Sequence, residues 1–138
     1  MKIHSTNYFN TFIEVAEDSK AESGVQPISK RDKKTVAQMQ FEMIAQNPYI
    51  YTSDDVLFLV FAERKDFIKE DYPKEREQFF SKGQPCLRAS PLTKSYGFGV
   101  HSNKEGKVAI YGMETEEYQE FISDKEIIKT KAMRSSRK

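Results

Sequence analysis

Hydrophobic positions change period several times along the chain. The segment "TFIEVAE" at 11–17 places Ile13 and Val15 on one face and Phe12 and Ala16 on the other. That pattern predicts a strand partly buried on both sides. The following "DSKAESGVQPISKRD" has no apolar period and carries Ser, Gly, Pro and mixed charges, as a surface loop does. "DKKTVAQMQFEMIAQNP" then adopts a helical period. Val36, Met39 and Met43 make one stripe, and Ala37, Phe41 and Ile44 a neighbouring one, so a broad face turns inward. Asp32 is the expected N-cap, and Asn47-Pro48 ends the helix because the residue before proline avoids the α region.

In "YTSDDVLFLVFAERKDF" the run VLFLVFA is apolar on every side, and periodicity alone does not separate helix from strand. The start decides for a buried helix: Thr52 or Ser53 can cap it, and Asp54 and Asp55 suit its first turn. "EDYPKEREQFFSKG" predicts a third helix, with Pro73 in the first turn, Phe79 and Phe80 as anchors and Gly83 just past the end. "YGFGVHSN-KEG-KVAIYGM" reads as a hairpin whose three-residue loop ends on Gly106. The register pairs His101 with Ala109, Val100 with Ile110 and Gly99 with Tyr111. It gathers Phe98, Val100, Val108 and Ile110 on the core face and leaves Gly97, Gly99, His101, Ala109 and Tyr111 on the other. "ETEEYQEFISD" is a short helix capped by Thr115, and "KEIIKTKAM" a last strand. The expected fold is α+β: a small antiparallel sheet of first strand, central hairpin and C-terminal strand, with about four helices packed on it. Residues 1–133 form the expected domain, and 134–138 a frayed basic tail.

Composition narrows the classes of function. At 138 residues the chain can hold a core without metal or disulfide support. Ten Phe and seven Tyr argue against disorder. A net charge of +1 gives no global field for nucleic acid or a membrane surface, so neither is an expected partner. One cysteine rules out an intrachain disulfide and a multi-cysteine zinc site. His4, His101 and Cys86 show no ligand spacing, so no metal or cofactor is expected. The longest apolar run, 56–62, is far shorter than the ~20 residues needed to span a bilayer. The opening "MKIHSTNYFN" lacks the apolar run of a signal peptide. Together these point to the cytoplasm.

Several segments resemble a family of small, single-domain bacterial proteins classed only as a domain of unknown function. They are "MKIHSTNYFNTFIEVAED", "YTSDDVLF", "FFSKGQPCLRASPLTKSYGFGVHSN", "GKVAIYGMETEEY" and "KAMRS". The resemblance implies a cytosolic bacterial protein and brings no reaction, substrate or catalytic residue. Two positions depart from the family pattern. Asp18-Ser19-Lys20 stands where Asp-Cys-Pro is expected, and Lys94-Ser95-Tyr96-Gly97 where Lys-Arg-Tyr-Gly is expected. The first departure speaks against a two-thiol redox role.

Candidate chemistry concentrates in 83–101. Arg88, Ser90, Thr93 and Lys94 offer a guanidinium, two hydroxyls and an ammonium suited to a phosphate or carboxylate. Ten residues, 85–94, form a long connection, and long loops tend to be functional. Gly97 and Gly99 make a bare strip that something approaches, bordered by His101 and Tyr111. The leading expectation is therefore a site for a small anionic ligand at loop 83–94 and the glycine face. Arg88, Ser90, Thr93, Lys94, Gly97, Gly99, His101 and Tyr111 are its candidate ligand-binding residues. One alternative is an enzyme with Cys86 as nucleophile and His101 as base. Another is a protein-interaction module using the hairpin and basic tail. The plain readings are a buried cysteine, turn-forming hydroxyls and a helix packed over the glycines.

Overall fold

The computed structural model describes residues 3–29 and 32–135. In chain order the elements are β1 (Thr11–Glu14), α1 (Val36–Gln46), α2 (Ser53–Arg64), α3 (Tyr72–Phe79), α4 (Pro91–Lys94), β2 (Phe98–Ser102), β3 (Val108–Gly112), α5 (Glu116–Ser123) and β4 (Ile128–Lys131). Short 3-10 turns at Lys69–Asp71 and Leu87–Ala89 precede α3 and α4. The fold is α+β, with the strands ordered β3-β2-β1-β4. The hairpin has the register expected from its hydrophobic pattern, with Gly99 opposite Tyr111, Val100 opposite Ile110 and His101 opposite Ala109. Its loop closes through Asn103 N–H to the Lys107 carbonyl, with Gly106 at φ +83.

The sheet is mixed rather than wholly antiparallel. β2 runs antiparallel to both β3 and β1, but β4 lies parallel to β1. Helix α5 is the cause. It carries the chain back across the sheet after β3, so β4 starts again from the same end. The edges are protected differently. On β3, Tyr49 N–H bonds the Val108 carbonyl and Val108 N–H bonds the Tyr51 carbonyl. On β4, Lys129 and Lys131 place charge along the outer strand, which discourages edge pairing.

The helices pack on both faces. Ile13, Val100 and Val108 join Met39 and Ile44 of α1, Val56 and Val60 of α2, and Leu87 and Leu92 in the main core. Phe12 and Val15 face the other way, against Tyr118, Phe121 and Ile122 of α5. A third cluster, Phe58, Ala62 and Phe80 with Tyr72 and Phe79, fastens α3 to α2.

Caps explain the helix starts. Thr52 and Asp55 form a reciprocal capping box on α2, as its opening residues suggested. Thr115 caps α5. The N-cap of α1 is Thr35, whose hydroxyl accepts from Gln38 N–H at 3.2 Å, so the cap lies three residues after the expected Asp32. Helix α3 ends at Phe79 with Phe80 as C-cap, because the buried Phe80 ring turns the chain inward before Gly83 is reached. β1 ends at Glu14, where the chain leaves the sheet and Ala16 N–H bonds the Thr93 carbonyl. Buried Asp54 holds the N-terminal segment by accepting from Ser5 Oγ, Thr6 N–H and Thr6 Oγ1 at 2.7–2.8 Å. Of the expected C-terminal tail, residues 136–138 lie outside the described residues. No helix among the described residues is long and apolar enough to cross a membrane.

Gly99 sits under α5. A Cβ there would overlap the Phe12 ring and crowd Tyr118 at 2.7 Å, whereas one at Gly83 would meet nothing within 4 Å. Gly99→Ala is expected to lower stability by about 1–3 kcal/mol. Gly83→Ala is expected to be near neutral, with both read by denaturant unfolding.

Candidate functional site

The connection between α3 and β2 is ordered by its own side chains. Its second half is not an irregular loop: the 3-10 turn Leu87–Ala89 is followed by the single turn of α4. Ser90 is the N-cap of α4, and its Oγ accepts from Leu92 N–H at 3.1 Å. The same hydroxyl donates to Gln40 Oε1 at 2.5 Å in the interior. Thr93 is fully buried, and its hydroxyl donates to the Leu87 carbonyl at 2.8 Å. Both hydroxyls are thus committed to the fold, which answers the length argument for this segment without a ligand. Arg88 donates from Nε to the Lys131 carbonyl at 2.7 Å and ties this segment to β4. Lys94 ends α4, half-buried and without an ion pair among the described residues.

The strip of glycines is filled by protein. Gly97, at φ +80, lies against the Ser23 backbone, where any side chain would collide with the carbonyl. Gly99 is covered by Phe12 and Tyr118. His101 and Tyr111, at the other end of this face, stay together: Tyr49 Oη lies 2.8 Å from His101 Nδ1 and 2.9 Å from Tyr111 Oη. The imidazole also stacks on Phe121, with centroids 4.3 Å apart. Tyr49 was not visible as a partner from sequence. It follows Pro48 and takes φ 60, a left-handed conformation that costs an aromatic residue on the order of 1–3 kcal/mol.

The expected residues therefore divide between the two faces of the sheet. Cys86 is on the face of α1 and α2, while His101 is on that of α5, so the two form no nucleophile–base pair. Cys86 Sγ has Tyr8 Oη within hydrogen-bond range at 3.5 Å. Burial foremost, then the Cys86 contact, raises the Tyr8 pKa above that of an ordinary phenol, with Arg88 opposing. A phenol held protonated is no base for a thiol at neutral pH.

The cavity on the first face was not legible from the chain. A cleft of about 310 Å³ opens between α1, α2, the end of α3 and residues 84–91. Val36, Leu57, Val60, Phe61, Phe79 and Pro85 give it apolar walls. Gln40, Arg64, Gln84 and Cys86 supply its polar groups. Gln40 is 3% exposed; its Oε1 accepts from Ser90, and its Nε2 has no hydrogen bond among the described residues. Arg64, exposed in the last turn of α2, has no ion pair among the described residues. Among the described residues no group of three or more His, Cys, Asp or Glu side chains is placed to hold a metal.

Burial lowers the His101 pKa below 6.5, with Asp124 pulling in the opposite direction. Below about pH 6.5 the unfolded chain therefore takes up a proton that the folded chain resists. Stability is expected to rise with pH through this window and to fall on acidification. In denaturant melts across pH, His101→Gln should remove this dependence, as seen in the difference between wild type and variant.

None of the curated proteins and none of the solved structures compared with the chain matches it. A model described as a family of unknown function (DUF6157) matches residues 3–138, and the chain belongs to that family.

Proposed function

We propose that this protein binds a small apolar anion, a carboxylate on a compact aliphatic or aromatic body, in the cleft beside residues 84–91. The observation that carries this reading is Gln40, a residue only 3% exposed on the cleft wall, whose Nε2 makes no hydrogen bond among the described residues yet is not sealed from solvent, so its two N–H donors are open to the cleft. Gln40 Oε1 is fixed by Ser90, so the amide plane is pre-oriented and a ligand oxygen in the cleft would meet its N–H donors at little entropic cost. The cleft volume lies at the small end of the ligand range, roughly 300–1,000 Å³, and its mix of apolar walls with a few polar groups is typical of such sites. Arg64 supplies positive charge at the rim, and a guanidinium suits a carboxylate through paired N–H donors. The anionic ligand expected from the sequence thus keeps its segment, but Arg64 and Gln40 take the roles first given to Arg88 and Lys94.

Cys86 is the chain's only cysteine and lines the cleft, so its alkylation reports occupancy at one place. Benzoate and octanoate are expected to slow iodoacetamide labelling of Cys86 and to raise the melting temperature. Their neutral amides should do less. Arg64→Ala, an exposed change away from the core, should weaken carboxylate protection by roughly fivefold or more while leaving the melting temperature of the free protein unchanged. Equal protection by acid and amide, or none from either, would sink the assignment.

A further inference from the structure

A second recess lies on the opposite side of the sheet, where the hairpin end meets the turn between α5 and β4. It measures about 660 Å³ and is lined by Asn10, His101, Asn103, Lys104, Asp124, Glu126 and Ile127. Four planar polar groups on its wall are each fixed on one side. Asn10 Nδ2 donates to the Glu126 carbonyl at 2.9 Å. Asn103 Oδ1 accepts from Glu105 and Lys107 N–H, each at 2.9 Å. Asp124 Oδ1 accepts from Glu126 N–H at 2.9 Å. His101 Nδ1 is held by Tyr49 Oη. Among the described residues, two of the three non-glycine residues with positive φ serve this recess: Asn10 on its wall, and Tyr49 behind His101. Backbone held in such conformations concentrates where a site requires a particular orientation.

What these bonds leave over defines the ligand. Asn10 Oδ1 and Asp124 Oδ2 remain as acceptors, and Asn103 Nδ2 as a donor, without hydrogen bonds among the described residues. His101 Nε2 can serve either way. With Tyr49 donating to Nδ1, Nε2 carries the proton; with the hydroxyls of Tyr49 and Tyr111 turned, Nδ1 donates and Nε2 accepts. The charged groups are Lys104 against Asp124 and Glu126. A simple anion would meet the two carboxylates, and a simple cation would meet the lysine and use none of the donors. A hydroxyl both donates and accepts, and neighbouring hydroxyls on a ring use such a mixed set without bringing charge.

We propose that this recess binds a neutral polyhydroxyl ligand of monosaccharide size, read by Asn10, His101, Asn103 and Asp124. The partners are pre-oriented, so little side-chain freedom is lost on binding. The assignment is independent of the cleft on the other face, and each can fail without the other.

The chain has two histidines, so ring signals in NMR separate His101 from His4. Glucose, galactose, mannose, ribose and myo-inositol are the probes. At least one should shift the His101 signal saturably at millimolar concentration and leave His4 unmoved. Asn103→Asp keeps a side-chain oxygen for Glu105 and Lys107 N–H and replaces the free donor with an acceptor. It should weaken that response roughly tenfold or more. Asp124→Asn keeps an acceptor for Glu126 N–H and should weaken it similarly. An unmoved His101 signal with all five probes would overturn the proposal. So would an undiminished response in both variants, or saturation by sodium acetate or ammonium chloride alone.

Discussion

The contact on which both faces depend is Phe12 lying over Gly99. β1 is hydrogen-bonded on both sides, and Phe12 and Ile13 are both fully buried, on opposite faces. Ile13 belongs to the main core, while Phe12 points under α5. Only a residue without a side chain on the adjacent strand leaves room for that ring. Phe12 then stacks on Phe121 at 4.9 Å and meets Tyr118 edge-on at 5.0 Å, and Tyr118 Oη accepts from Val15 N–H. The same Phe121 carries His101 and Tyr111. Packing between one strand and one helix thus positions the imidazole and restrains its orientation.

On the other face, order comes from buried hydrogen bonds as well as apolar burial. Ser90, Thr93 and Gln40 together stop the segment before β2 from behaving as a loop. Their cost in desolvation is met because each hydroxyl reaches a partner, and no fully buried side-chain nitrogen or oxygen among the described residues is left unbonded. The cleft is the space left between this segment, α1, α2 and the end of α3, with Pro85 and Pro91 on its wall. Rigid walls on three helices and one turn are a suitable frame for a site, because none has to be ordered by the ligand.

Local chemistry was readable wherever a residue acts on its own neighbours. The hairpin register followed from the side-chain period and Gly106, the start of α2 from Thr52 or Ser53, of which Thr52 is the cap, and that of α5 from Thr115. Elsewhere two local solutions competed. Asp32 and Thr35 could each cap α1, and Thr35 prevails because its hydroxyl reaches Gln38 N–H. Gly83 could have ended α3, but burial of Phe80 ended it first. The hydroxyls of Ser90 and Thr93 looked equally suited to an anion and to a turn, since a sequence lists donors without saying which are already used.

The amino-acid sequence by itself determined the α+β class, the hairpin and its two faces, and the presence of His101 and Tyr111 on one of them. Those features rest on period and turn chemistry, which act over a few residues. Tertiary structure decided which face each helix covers, the parallel seating of β4, the entry of Tyr49 behind His101, and the separation of Cys86 from His101. Each depends on contacts between residues far apart in the chain, where shape and volume settle the partner and no local pattern records it.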